Sequence, residues 1–111
     1  MVEMKEIRDL TSQIAREFSP DRIILFGSHA YGQPGNDSDV DILVVLPFEG
    51  KPVRKAIEIR NRVNAGLPLD LIVRTPEQLA ERVAQNDWFI REILERGRTL
   101  YEAYRVGEKL H

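Results

Sequence analysis

The 111-residue chain contains no cysteine, and aromatic residues make up only 7% of it. The absence of cysteine excludes disulfides, cysteine-ligated structural zinc and thiol nucleophiles. No apolar run approaches the roughly 20 residues that a membrane-spanning helix needs. The first ten residues, MVEMKEIRDL, are charged where a signal peptide needs an apolar core. The sequence therefore predicts a soluble cytoplasmic protein without a membrane partner.

The charge balance is close to neutral, with 18 acidic and 16 basic residues and a net charge of −2. This balance argues against non-specific binding to nucleic acid, although it leaves an RNA or nucleotide substrate open. A chain of this length with 42% apolar residues can build one core but not two. Residues 1–111 are therefore predicted to form a single domain.

Hydrophobic spacing and turn residues predict the order helix, strand, strand, helix, strand, helix, helix. Helices are predicted at residues 2–18, 51–65, 75–85 and 87–97, strands at 22–26, 39–46 and 67–73, and a short strand or packing segment at 99–104. The segment SHAYG can add about one helical turn after the first strand, and Gly66 is predicted to end the second helix. This order predicts an α+β fold in which a small mixed β-sheet packs against helices.

The stretch LFGSHAYGQPGNDSDVDILVV, residues 25–45, places Asp39 and Asp41 at the head of an apolar strand. Side chains alternate faces along a strand, so both carboxylates are predicted on one side, roughly 7 Å apart. Two like charges so placed repel each other, and oxygen ligands with room for water and phosphate suit Mg²⁺ or Mn²⁺. The Asp-x-Asp pattern by itself fits a metal-binding pair and two solvated residues at the end of a loop equally well.

Asp70 lies within LPLDLIV, residues 67–73, among apolar neighbours. Burying an unpaired carboxylate there would be costly, so the sequence predicts a partner for Asp70. If this strand lies beside the strand of residues 39–45, Asp70 completes a three-carboxylate cluster. Such a cluster can hold two divalent ions for phosphoryl or nucleotidyl transfer. An ion pair with Arg74 or another arginine is the alternative.

Gly27 and Ser28 directly follow the first predicted strand. Glycine permits a sharp turn and a close approach of the backbone, while exposed N–H groups and the serine hydroxyl can hold phosphate. A Gly-Ser pair alone is uninformative. It becomes informative because the strand that carries Asp39 and Asp41 follows at a spacing that could fold back beside it.

The segment GSHAYGQPGNDSDVD has the form G-S, ten residues, D-x-D. Together with Asp70 it resembles the polymerase β nucleotidyltransferase superfamily, and within it the minimal nucleotidyltransferases, the MntA-like antitoxins. The motifs cover about residues 20–75, and length and element order are similar over the whole chain.

The resemblance implies an enzyme that moves a nucleoside monophosphate, as AMP from ATP, to an acceptor hydroxyl with Mg²⁺ or Mn²⁺. It implies that Asp39, Asp41 and Asp70 are catalytic and hold two metal ions, and that Asp70 also helps to activate the acceptor. Gly27 and Ser28 would bind the nucleoside triphosphate. Members of the minimal branch are typically encoded beside an all-helical HEPN toxin and adenylylate a tyrosine on it, so the expected partner is an HEPN-domain protein.

Tyr31 departs from the family pattern, because many relatives carry arginine here in the form G-S-x-A-R-G. Tyrosine cannot supply that positive charge. The alternatives to a catalytic antitoxin are a nucleotide sensor and a weak or inactive binding module that neutralises its HEPN partner by complex formation. The late segment DWFIREILERGRTLYEAY fits either an interface or closure of the core. The sequence leaves a homo-oligomer, the selected base and the acceptor open.

Overall fold

The computed structural model describes residues 2–35 and 38–103. The elements are, in chain order, α1 (Met4–Phe18), β1 (Arg22–Phe26), α2 (Ser28–Tyr31), β2 (Val40–Val45), α3 (Pro52–Arg62), β3 (Leu69–Arg74), α4 (Pro76–Ala84), α5 (Trp88–Arg96) and β4 (Arg98–Glu102). The predicted last strand is confirmed as β4, whereas Tyr104, the end of that prediction, lies outside the described residues. Every other predicted helix and strand is also present.

The four strands form one mixed sheet in the order β3-β2-β1-β4. Strand β1 is antiparallel to both β2 and β4, and β2 is parallel to β3. The α+β fold with a small mixed sheet is therefore confirmed, and β2 and β3 are neighbours as the site prediction required.

Helices cover both faces of this sheet, because successive residues of a strand point to opposite sides. One face packs against α1 and α3, through Ile7, Leu10, Ile14 and Ile59 on the helices and Ile23, Leu25, Ile42, Val44, Leu71 and Val73 on the strands. The opposite face packs against α4 and α5, through Leu79, Ile90 and Ile93 on the helices and Ile24, Phe26, Leu43, Val45 and Ile72 on the strands. Strand β2 is consequently buried on both faces, as its apolar run predicted.

Residues at the helix ends explain where α1 and α4 stop and start. Ser19 takes a left-handed conformation, with φ at 45°, and ends α1 directly before Pro20. The Thr75 hydroxyl accepts a hydrogen bond from the Gln78 amide, and the Gln78 side chain accepts one from the Thr75 amide. This reciprocal pair is a capping box, and it confirms the predicted start of α4.

Several predicted boundaries differ from the structure by one to three residues, most of all the end of α3. Helix α3 ends at Arg62, because Val63 is already extended and turns its side chain into the core. Gly66 has a φ of 61° and so shapes the loop after the helix rather than ending the helix. Strand β2 begins at Val40, so Asp39 lies just before the strand. No helix in the described residues is long and apolar enough to cross a membrane.

Candidate active site

Gly27 forms the turn between β1 and the single-turn helix α2. Its backbone has φ 71° and ψ −161°, a region that is essentially restricted to glycine. A Cβ at this position would overlap the Asp41 carboxylate. The Gly27 carbonyl accepts hydrogen bonds from the Ala30 and Tyr31 amides at 3.0 and 3.1 Å. Glycine is therefore required both for the turn and for the close approach of Asp41.

Asp41 and Asp70 are brought together by the register of the sheet. Asp41 lies opposite Phe26 on β1 and is the register partner of Asp70 on β3. Register partners in a sheet point to the same face, so both carboxylates lie on the face that α4 and α5 cover further along. Asp39 is exposed and directly precedes β2. The structure thus places the three predicted carboxylates and Gly27 at one end of the sheet.

The electrostatics of Asp41 show how closely the carboxylates are placed. Burial raises the pKa of Asp41 from its ordinary value near 3.8 to about 6, and the charge and hydrogen bond of Asp70 add to the shift. The charge of Asp39 also raises this pKa, whereas His29 lowers it. A carboxyl group with two carboxylate neighbours keeps its proton more firmly, because its ionised form would be repelled. The cluster of three carboxylates therefore carries an excess of negative charge, which a cation would neutralise.

Asp70 is solvent-exposed, so the premise that it is a buried carboxylate is wrong. The reason is that β3 is an edge strand and that α4 begins only at Pro76, which leaves the sheet face over the start of β3 uncovered. Among the described residues, no basic side chain forms an ion pair with Asp70. Arg74, the alternative partner, lies at the other end of β3 and donates a hydrogen bond to the Val73 carbonyl.

His29 connects the turn to the segment before Asp39. Its Nε2 lies 3.2 Å from the Ser38 carbonyl oxygen, and the ring is half-buried. Since Ser38 precedes Asp39, this contact fixes the segment that presents the first carboxylate. No pattern in the sequence singles His29 out, because the contact spans a loop whose path the sequence does not define.

Three aromatic side chains pack in a row that begins at Phe26, the register partner of Asp41. The Phe26 and Phe89 rings pack edge to face at 5.8 Å, and Trp88 packs against Phe89 at 6.2 Å. Phe89 is 40% exposed and Trp88 is 73% exposed, although both are large and apolar. Ile90 and Ile93 thus close the core, as one interpretation of the late segment predicted. Trp88 and Phe89 face solvent, and an interface there stays a prediction.

Four surface grooves of about 430 to 690 Å³ in the described residues include none of the three aspartates. A groove of about 690 Å³ runs between α3, the second half of β3 and α4, and it contains none of the three aspartates. An open site at one end of the sheet, with Asp39 and Asp70 exposed, suits a large acceptor, such as another protein, better than a small molecule that needs enclosure.

The donor chemistry fits a hard divalent cation, because carboxylate oxygens that repel one another at close range are stabilised when a cation binds them. Within residues 2–35 and 38–103, no three acidic or imidazole side chains already form a metal site. Asp41 and Asp70 are close enough for a hydrogen bond, whereas Asp39 acts on Asp41 only through its charge. Bringing Asp39 to the same cation would take a local movement at the start of β2.

Helices on both faces of a mixed sheet, with clustered carboxylates beside a glycine turn, are the features of a nucleotide-dependent transferase. Residues 5–110 match the sequence model of the nucleotidyltransferase domain. The chain therefore belongs to the nucleotidyltransferase family and is a nucleotidyltransferase enzyme, as the motif resemblance implied.

Known proteins are similar to this chain over most of its length. A Methanocaldococcus jannaschii protein described as a candidate protein adenylyltransferase is 31% identical over 106 residues, which are 91% of this chain and 100% of that protein. The crystal structure of a candidate nucleotidyltransferase from Sulfolobus solfataricus has a TM-score of 0.61 at 19% identity, over 89% of this chain and 79% of that one.

Two further crystal structures come from toxin–antitoxin complexes. One is a toxin–antitoxin with AMP-PNP, with a TM-score of 0.58 at 19% identity over 93% of this chain and 78% of that one. The other is a mutant of the toxin–antitoxin MntA-HpeT, with a TM-score of 0.57 at 16% identity and the same coverage. At these identities the structures show that the fold is shared.

Proposed function

We propose that this protein transfers AMP from ATP to a tyrosine hydroxyl of an HEPN toxin and so acts as the antitoxin of a toxin–antitoxin pair. The observation that carries the proposal is the register of Asp41 with Asp70 beside Gly27. A function that brings positive charge to this point would offset the repulsion between the two carboxylates.

The relatives support the direction of this proposal. The M. jannaschii relative is described as a candidate protein adenylyltransferase, and one of the similar folds comes from a toxin–antitoxin with AMP-PNP. The open position of the carboxylates at one end of the sheet also suits a protein acceptor.

The proposed roles follow from the position of each residue. The Gly27-Ser28 turn and the Ser28 hydroxyl hold the phosphates of ATP, because glycine lets the backbone approach them and its N–H groups can donate. Asp70 is exposed, so a tyrosine hydroxyl that arrives from solvent can reach it and transfer its proton to it. The tyrosine oxygen then forms a bond to the α-phosphorus, the bond from that phosphorus to the pyrophosphate oxygen breaks, and pyrophosphate leaves.

Asp39, Asp41 and Asp70 are the side chains that would hold Mg²⁺, with Mn²⁺ as an alternative and two ions as the expected number. When bound, the metal would neutralise the carboxylates and stabilise negative charge on the phosphate oxygens. The proposal also places Trp88 and Phe89 at the interface with the partner, since both are exposed and Phe89 packs on Phe26, the register partner of Asp41.

The direct test incubates the protein with Mg²⁺, each labelled nucleoside triphosphate and the product of its genomic neighbour. Mass spectrometry then locates any added nucleotide. The expected result is one AMP on a tyrosine of the partner, lost in the double variant Asp39→Asn, Asp41→Asn. Binding of ATP without transfer to any acceptor would contradict the enzymatic proposal.

A binding module that covers its partner is the second candidate, favoured by the exposed Trp88 and Phe89. The same double variant separates the two candidates. If Asp39→Asn, Asp41→Asn still neutralises the toxin fully, neutralisation occurs by complex formation. If neutralisation is lost while the complex still forms, transfer is required.

A further inference from the structure

Arg96 contacts the turn of the candidate site through the ring of Tyr31. Its guanidinium carbon lies 4.2 Å from the centre of the Tyr31 ring. Tyr31 is the last residue of α2, one helical turn after Ser28, and its amide is hydrogen-bonded to the Gly27 carbonyl. Residues three apart on a helix lie on the same side. Arg96 is therefore held on the side of the turn that carries Ser28.

The end of α5 explains how Arg96 reaches this position. Gly97 packs so tightly on β1 that a Cβ there would overlap Ile24 and lie 3.0 Å from the Leu25 carbonyl oxygen. The next residue, Arg98, pairs in register with Leu25. The chain therefore passes directly against the end of β1, two residues before Gly27, and this fixes where the side chain of Arg96 begins.

The guanidinium of Arg96 keeps donors available for a ligand. Stacking on Tyr31 uses the flat face of the group, while the N–H donors lie around its edge. One edge nitrogen, Nη1, donates to Glu92 at 3.1 Å. The Arg96 side chain is 59% exposed, so an oxygen ligand arriving from solvent can contact its other donors.

The negative charge of the site indicates why a cation such as Arg96 would help to bind polyphosphate. Asp39, Asp41 and Asp70 make the end of the sheet electronegative, which opposes the approach of a polyphosphate. Main-chain N–H groups and one serine hydroxyl carry no net positive charge. Guanidinium groups bind phosphate oxygens with charge-assisted, often bidentate hydrogen bonds.

We propose that Arg96, positioned by the Tyr31 ring, binds the polyphosphate chain of the nucleotide at the Gly27-Ser28 turn. The proposal rests on the proposed function, since it assigns a binding residue for the same substrate. In this view Tyr31 is a positioning residue and Arg96 contacts the substrate.

The experiment measures binding of ATP, AMP and inorganic tripolyphosphate, each with Mg²⁺, by isothermal titration calorimetry. Arg96→Gln should weaken the binding of ATP and of tripolyphosphate about 10-fold. This factor corresponds to the lower end of the range for a hydrogen bond to a charged group, because Arg96 is partly exposed. The affinity for AMP should fall less, since AMP lacks the β- and γ-phosphates. A residue that only supported the fold would affect all nucleotides alike.

Arg91→Gln is the matched control. Arg91 lies on the same helix, is 51% exposed and pairs with Glu95 four residues away, but it has no contact with Tyr31. This variant should bind all three probes as the wild type does. Tyr31→Leu should weaken ATP binding about 3-fold, because the Arg96 guanidinium loses the ring on which it stacks. Tyr31→Phe keeps the ring and should bind ATP as the wild type does.

The inference is overturned if Arg96→Gln binds ATP as tightly as the wild type, or if Arg91→Gln weakens binding equally. It is also overturned if Arg96→Gln lowers ATP and AMP affinity by the same factor. These outcomes leave the proposed function intact as long as the wild type binds ATP. A wild type that binds neither ATP nor tripolyphosphate contradicts the proposed function and the inference with it. Urea unfolding of each variant identifies any loss caused by misfolding.

Discussion

Ionised Asp41 should destabilise the metal-free protein, so replacing it with asparagine should make that protein more stable at alkaline pH. The reason is the contact between Asp41 and Asp70, together with the charge of Asp39 and the burial of Asp41 itself. Removing a residue proposed to be essential for catalysis would then increase the free energy of unfolding.

The magnitude follows from the pKa of Asp41, which rises from 3.8 to about 6. The difference, 6 − 3.8, is about 2 pKa units, and one unit corresponds to about 1.4 kcal/mol, so the upper bound is about 3 kcal/mol. Asp41 keeps substantial contact with solvent, which screens the repulsion. We therefore expect about 1–2 kcal/mol of destabilisation at full ionisation.

The direction follows from proton linkage. The folded protein binds the Asp41 proton more tightly than the unfolded chain, so between about pH 4 and pH 6 the folded state holds more protons. The free energy of unfolding contributed by this group then falls as the pH rises through that window. Above about pH 7 the penalty is complete, and below about pH 4 it is absent.

The assay is urea unfolding in the presence of a chelator, at about pH 4 and about pH 8. Asp41→Asn should raise the urea midpoint at the higher pH by roughly 1 M, taking a slope typical of a small domain, and should change it little at the lower pH. Asp9→Asn is the control, because it removes one exposed carboxylate from α1, away from the site. If Asp41→Asn is no more stable than the wild type at about pH 8, the reasoning about repulsion is refuted.

Adding Mg²⁺ at about pH 8 should raise the thermal midpoint of the wild type but not of Asp41→Asn, as differential scanning fluorimetry would show; an equal shift in both would contradict metal binding at Asp41. Gly27→Ala should destabilise the protein by about 2–4 kcal/mol in urea unfolding, since backbone strain and overlap with Asp41 add. Gly50→Ala, which has positive φ but open space, should cost only about 1 kcal/mol. Thr75→Ala should lower the free energy of unfolding by about 1 kcal/mol through loss of the α4 cap, with ATP affinity unchanged. Trp88→Ala should leave the urea midpoint of the isolated protein unchanged and weaken co-purification with the partner, and a normal yield of complex would exclude Trp88 from the interface.

The sequence predicted the elements of the sheet well because their signals are local. Apolar runs bounded by glycine, proline and serine defined the strands, and Thr75 with Gln78 defined the start of α4. The end of α3 was missed because the apolar residue Val63 fits the helical pattern, while its extended backbone comes from packing into the core.

The arrangement around the site could be predicted only in part. The spacing of Asp39 and Asp41 and the later Asp70 gave the carboxylate group, since strand residues alternate faces. Exposure of Asp70 could not be read from its apolar neighbours, because they occupy the other face or lie further along the strand. The contacts of His29 and Arg96 depend on residues distant in sequence, so no local pattern reports them.

The site depends on the register of β2 and β3 more than on any single side chain. Leu69, Leu71 and Val73 point to the face covered by α1 and α3, and this alternation leaves Asp70 on the opposite face, beside Asp41. A slip of one residue would reverse every side chain of β3, which would bury Asp70 under α3 and separate the carboxylates. Hydrogen bonds hold the register at both ends, from the Val40 amide to the Pro68 carbonyl at 2.9 Å and from the Leu46 amide to the Arg74 carbonyl at 3.1 Å. The apolar pattern that stabilises the sheet therefore also forces two carboxylates together, and the sheet tolerates their repulsion because burial of the other face outweighs it.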